Sequence, residues 1–171
     1  DGYIEKGYEN LLLQSNTFNN TWAKTNSTLT SGQSSYDGSS DAWLLEASSD
    51  GPSRYVGQNV SSSGVNTFSC YAKAGTTDYF RIQINAGSTA FAYFDLTAGV
   101  AGSTLNEITT NIEAVSGTTG WYRCSLVAND SSISAVRIYV TRENNTNIIA
   151  GDNVYIQDAQ LNQGLVALPY V

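Results

Sequence analysis

In Tyr79-Phe80-Arg81-Ile82-Gln83-Ile84-Asn85 the residue types alternate strictly. In an extended strand this sends Phe80, Ile82 and Ile84 to one face and Tyr79, Arg81, Gln83 and Asn85 to the other. The apolar face suits a core. The second face sets an aromatic ring beside three planar hydrogen-bonding groups, the pairing that a polar, ring-shaped ligand requires. An aromatic ring covers the C–H face of a sugar, and guanidinium or amide groups reach its hydroxyl rim. Carbohydrate is therefore the first ligand class to expect. The alternative reading of the same residues is a solvated sheet face held by ordinary cross-strand pairs.

The elements that must position this strand follow from composition. Only 13% of the 171 residues are charged. Ser, Thr, Asn and Gly fill the spaces between short Val, Ile, Tyr and Phe runs, a mixture that favours strands and turns over helices. The pattern predicts strands at Asn10–Leu13, Trp22–Leu29, Asp41–Ala47, Thr67–Lys73, Tyr79–Asn85, Phe91–Leu96, Thr109–Val115, Trp121–Ala128, Ala135–Thr141 and Val154–Leu161. Turn signals such as Tyr36-Asp37-Gly38, Asp50-Gly51-Pro52 and Ala150-Gly151-Asp152 separate them. Short strands at this spacing read as an all-β sandwich of two antiparallel sheets. Ser31–Ser40 and Ser61–Ser63 read as loops.

The exclusions are equally informative. Histidine is absent, which removes the commonest general base and zinc ligand and every Ser-His or Cys-His pair. The formal charge of −7 comes without a basic cluster, which argues against a nucleic-acid partner. No apolar run approaches the roughly 20 residues of a membrane-spanning helix, so no membrane partner is expected. Methionine is absent, and the chain starts Asp1-Gly2, so a segment of a longer polypeptide is expected. Cys70 and Cys124 both fall mid-strand and are read as small core residues, with a disulfide as the alternative. Asn-x-Ser/Thr triplets at Asn19, Asn26, Asn59, Asn129 and Asn144 are read as coincidences of an Asn- and Thr-rich chain.

Several blocks recur in a characteristic order: Gly2-Tyr3-Ile4-Glu5, Asn10-Leu11-Leu12-Leu13, Phe68-Ser69-Cys70-Tyr71-Ala72, Phe94-Asp95-Leu96, Gly120-Trp121-Tyr122-Arg123-Cys124 and Gly151-Asp152-Asn153-Val154-Tyr155, running on to Asp158-Ala159-Gln160-Leu161. In this order and spacing the chain resembles jelly-roll, carbohydrate-binding-module-like domains of bacteriophage tail and other virion proteins. Gln157-Asp158 departs from that pattern, which often has Trp-Gly at this point. The resemblance implies one jelly-roll domain over residues 1–171, placed on a virion surface or outside the cell. It implies non-catalytic binding of a polysaccharide or cell-surface glycan. A structural decoration or spacer domain touching other virion subunits is the alternative.

Carried onto this chain, the jelly-roll order sets Thr67–Lys73 beside Trp121–Ala128, with Cys70 and Cys124 on neighbouring strands. It joins Asp41–Ala47, Ala135–Thr141, Tyr79–Asn85 and Phe91–Leu96 in the second sheet. The outward set is then Tyr79, Arg81, Gln83, Asn85, Phe91, Tyr93, Asp95, Arg137 and Tyr139, with either Trp43 or Glu46 added. Trp43 is equally readable as a core residue. Trp22, Trp121 and Tyr122 are expected to pack the sandwich. Related modules hold a structural calcium near the first and last strands, which here points to Asp158 with Glu9 or Asp41 as oxygen ligands. A polysaccharide lyase or glycosidase is the remote alternative, with Asp95 and Glu46 in one groove near Tyr93.

Overall fold

The computed structural model describes residues 9–143 and 146–171. The Gly2-Tyr3-Ile4-Glu5 block and Asn144 lie outside the described residues. Among the described residues ten strands form, in chain order: β1 (Ala23–Thr25), β2 (Ser27–Gln33), β3 (Ala42–Ala47), β4 (Tyr55–Ala74), β5 (Tyr79–Asn85), β6 (Ala90–Asp95), β7 (Val100–Leu105), β8 (Thr109–Ala114), β9 (Trp121–Thr141) and β10 (Asn153–Gln163). Every pairing is antiparallel. The chain is all-β, as composition and turn spacing imply.

Two long strands build both layers. The last part of β4 pairs with the first part of β9 from Asn66↔Ala128 to Lys73↔Trp121, and its first part pairs with the last part of β9 from Tyr55↔Tyr139 to Asn59↔Ala135. Between these stretches the register slips around Ser62. The slip falls in Ser61-Ser62-Ser63-Gly64, where Gly64 takes a φ of +75° that a side chain would resist. This serine run, expected as a loop, is a bend within a continuous strand.

The first layer runs β2-β3-β10-β4-β9 with β8 against β9, and the second runs β1-β4-β9-β5-β6-β7. Asp41–Ala47 was expected in the second layer. It lies instead in the first, between β2 and β10. Its hydrophobic alternation fits either layer, and the choice is made by pairing with β10. Asn10–Leu13, expected as a strand, is an irregular segment tied to β10 by Asn10 Nδ2 donating to the Ala159 carbonyl at 3.0 Å.

The core lies between the layers. Phe68, Cys70, Leu126 and Ile156 face Phe80, Ile82, Phe94, Ile138 and Val140, all fully buried. Trp22 and Trp43 join this cluster. Cys70 and Cys124 are direct register partners, and both are buried free thiols. Burial pushes both thiols well above their ordinary pKa.

Phe80→Ala should cost about 3–5 kcal/mol in urea denaturation because its ring fills a closed core. Val100→Thr on the edge strand, where Val100 is 52% exposed, should stay within about 0.5 kcal/mol. Equal costs would contradict this assignment of the core.

Candidate functional site

The second layer turns away from the core exactly those residue types that the β5 alternation singled out. Because the strands are in register, they form rows across the sheet. One row runs Tyr93, Arg81, Tyr139, Tyr55 and Thr25. The next runs Phe91, Gln83, Arg137, Gly57 and Ala23. A third pairs Asp95, Tyr79 and Thr141.

Arg81 is the hub. Its guanidinium carbon lies 3.7 Å from the Tyr139 ring centre, 5.1 Å from Phe91 and 5.5 Å from Tyr93. NH1 donates to the Tyr93 hydroxyl at 3.0 Å and NH2 to Gln83 Oε1 at 3.0 Å. Gln83 Nε2 then donates to Asn85 Oδ1 at 2.8 Å. Arg137 is held similarly, 4.5 Å over the Tyr55 ring with NH1 donating to the Tyr139 hydroxyl at 3.3 Å. Tyr55 and Tyr139 pack at 4.8 Å. Tyr93, Tyr139 and Gln83 are buried by these neighbours at 6%, 3% and 6% exposure. They form a pre-set floor, while Tyr79, Arg137 and Tyr55 remain partly open.

Two depressions mark the face. At one end Tyr79, Tyr93, Asp95, Val100, Gly102, Ser103 and Glu143 line a pocket of about 320 Å³. It opens where β7 slips register against β6 between Ala92 and Phe94. At the other end a shallow trough passes over Ala23, Gly57 and Ala135 between Tyr55, Asn59 and Arg137. It shares Ala23, Gly57, Gln58 and Asn59 with a larger hollow of about 300 Å³ that reaches Leu11, Leu13 and Thr21. Gly57 leaves the trough open, because a Cβ would stand 3.0 Å from both Arg137 Cγ and the Val136 carbonyl oxygen, a contact tight enough that its neighbours would have to shift.

The expected residues divide clearly. Tyr79, Arg81, Gln83, Asn85, Phe91, Tyr93, Arg137 and Tyr139 share one face. Trp43 does not: it points into the core opposite Ile156, 7% exposed, with Nε1 donating to the Asn16 carbonyl at 3.0 Å. Glu46 faces outward on the first layer, the opposite side of the sandwich from Asp95. The two carboxylates therefore share no groove, and that catalytic pairing is corrected. Asp95 is partly buried, but N–H donors of Ala98 and Thr97 and the Tyr79 hydroxyl outweigh the burial and hold its carboxyl below the ordinary range. A carboxylate so held is a poor general acid. Tyr55, Gly57 and Asn59 belong to the face and were missed, because Gly57 and the inward polar Gln58 break the strand pattern; the aromatic pair Tyr55 and Tyr139 was the available signal.

The calcium expectation leads to a different corner. Asp158 Oδ2 accepts from the Tyr36 hydroxyl at 2.6 Å, and the Asp158 N–H donates to Asn16 Oδ1 at 3.0 Å. Asp41 Oδ1 accepts from Gln157 Nε2 at 2.9 Å and from the Ser39 hydroxyl. Tyr36 stacks on Tyr71 at 4.0 Å and meets Trp121 edge-on. Protein donors thus occupy one oxygen of each carboxylate, Glu9 is exposed at the start of the described chain, and no group of three His, Cys, Asp or Glu side chains assembles among the described residues. Together these contacts form a latch that holds the stretch from Tyr36 to Asp41 over the first layer.

No family model matches the chain. No curated protein matches it either. Among solved structures, the chain is similar to the Clostridium thermocellum endo-1,4-beta-D-xylanase 10B CBM22-1 and GH10 modules complexed with xylohexaose, at 11% identity and a TM-score of 0.49, over 92% of this chain and 28% of that one. Bacteriophage CBA120 tailspike protein 4 gives 15% identity and a TM-score of 0.49, over 91% and 21%. A family 29 carbohydrate-binding module gives 12% and 0.43, over 84% and 76%. The chain spans less than a third of the length of the first two. At these scores the likenesses carry no statement of function.

The latch generates a pH prediction. Burial, and after it the charges of Asp41 and Asp37, raises the Asp158 pKa above its ordinary value even though the Tyr36 hydrogen bond lowers it. Asp158 therefore destabilises the fold when ionised, and the penalty lifts as pH falls through its folded pKa. Asp158→Asn keeps an acceptor for Tyr36 and tolerates the φ of 50°. It should raise Tm by a few degrees at pH 7, with the gain shrinking towards pH 4. A lower Tm at pH 7 would contradict this reading.

Proposed function

We propose that the protein is a non-catalytic carbohydrate-binding domain whose site is the outward face of the second layer. The observation that carries this is the row Tyr93–Arg81–Tyr139–Tyr55, which fixes aromatic and polar groups in one register across four strands. Such a floor is ordered before the ligand arrives, so little side-chain entropy remains to be lost on binding. The trough over Gly57 and the pocket beside Tyr79 leave room at its two ends for an extended chain of sugar units.

A shallow face of this kind binds weakly, with Kd on the order of 10 µM to 1 mM, or about −4 to −7 kcal/mol. Repeated copies on a virion or a secreted surface protein would turn that into firm attachment to a cell-surface glycan. A second reading, a structural virion domain, is favoured by the wholly exposed edge strand β7 with Val100, Leu105 and the nearby Ile108 uncovered. Such an edge can add a strand from another subunit.

Calorimetric titration of the 171-residue domain with soluble polysaccharides separates the two. Tyr79→Ala and Tyr55→Ala should each weaken binding about tenfold or more while moving Tm by no more than roughly 2–3 °C. Arg81→Ala should weaken binding and also cost about 1–3 kcal/mol of stability, because it ties three rings together. Unchanged affinity in both tyrosine variants would move the carbohydrate site off this face, and no binding to any polysaccharide by the folded, unsubstituted domain would favour the structural role of the β7 edge.

A further inference from the structure

Within that reading, we infer that the face selects uncharged sugar units and disfavours uronates, with the Tyr79–Tyr93 pocket as its selective subsite. The two arginines on the face suggest the opposite, since an arginine fork is the usual grip on a carboxylate. Their placement keeps that use out of the pocket, which neither arginine lines. The Arg81 guanidinium carbon lies 3.7 Å from the Tyr139 ring centre, with NH1 and NH2 donating to Tyr93 and Gln83 and Nε buried without a partner. The Arg137 guanidinium carbon lies 4.5 Å from the Tyr55 ring centre, with NH1 donating to the Tyr139 hydroxyl. Arg81 is built into the floor, where it braces three rings, and Arg137, which remains partly open, lines the trough at the other end of the face and not the pocket.

The groups that face the pocket have the other sign. Asp95 and Glu143 line it together with the two tyrosines. Asp95 stays ionised through its backbone donors, and Asp78 is close enough for its charge to act on the Tyr79 hydroxyl, as are those of Asp95 and Glu143. Carboxylates accept from sugar hydroxyls in charge-assisted hydrogen bonds, and the tyrosine rings cover the C–H face. A sugar carboxylate in the same place would meet two or three like charges, and the overall charge of −7 adds to the repulsion at long range.

The test titrates the domain with an uncharged polysaccharide set (xylan, mannan and β-glucan) and with polygalacturonate and alginate, each in dilute and in about 0.5 M NaCl, where screening acts within a few Å. Binding to at least one uncharged polymer, insensitive to salt, is expected. Polyuronates should bind at least tenfold more weakly in dilute salt, and added salt should strengthen what binding remains. Glu143→Gln should narrow the gap between the classes about threefold, with Tm as the check that the variant is folded. Polyuronate binding that is tighter than uncharged binding and weakened by salt would overturn the charge selection while leaving the carbohydrate site intact. Silence towards every polymer by demonstrably folded protein would overturn both.

Discussion

The structure depends on the antiparallel pairing of β4 with β9. Each strand is long enough to serve both layers, and the pair stays joined through a bend made by Ser61-Ser62-Ser63-Gly64 opposite Asp130 to Ile133. That one ladder fixes the register of everything else. It sets Cys70 opposite Cys124 in the first layer and Tyr55 opposite Tyr139 in the second. The candidate site inherits its geometry from it, because Tyr139 and Arg137 reach Arg81 and Gln83 through the next ladder. Hydrogen-bonded strands that cannot slip without turning core residues outward give a rigid base for side chains that must stay in rows.

On this base the face stabilises itself. The Arg81 guanidinium packs on the Tyr139 ring, and the chain Tyr93, Arg81, Gln83, Asn85 links its two terminal nitrogens into hydrogen bonds that run from residue to residue, while Nε stays buried without a partner. The consequence for function is a division of labour. Buried members set the shape, and the more open Tyr79, Tyr55, Arg137, Asp95 and Glu143 meet the solvent. A face with Arg81 tied into its floor and carboxylates at its pocket differs chemically from what its composition suggests.

Much of the second layer was legible in the sequence, because strict alternation from Tyr79 to Asn85, with Val136, Ile138 and Val140 alternating with Arg137 and Tyr139 and Phe94 and Leu96 flanking Asp95, fixes which side chains share a face. The segment Tyr55–Asn59 was not, since Gly57 and Gln58 obscure its period; Gln58 is inward and polar because its amide is used to hold the Leu13 backbone, donating to the Leu13 carbonyl and accepting from its N–H at 2.7 Å each. Strand Val100–Leu105 carries small and polar residues on an exposed edge, where no apolar period is needed. Trp43 could not be oriented from Ala42-Trp43-Leu44-Leu45, which is apolar on both faces, and pairing with Ile156 decides it. The Asp158 latch depends on Tyr36, a single aromatic residue in a Ser-rich stretch, and its partners are distant in sequence. Local pattern gives faces; long-range pairing chooses layers.

The most direct test of the account is a two-dimensional NMR titration of the labelled domain with a soluble uncharged oligosaccharide. The account predicts shift changes confined to the second layer's outward face, at Gly57, Tyr79, Gly102, Ser103 and Arg137, with Asn111, Arg123 and Ser125 on the opposite face unmoved. Changes centred on Asn111, Arg123 and Ser125, with the Tyr79 and Gly57 signals still, would contradict it.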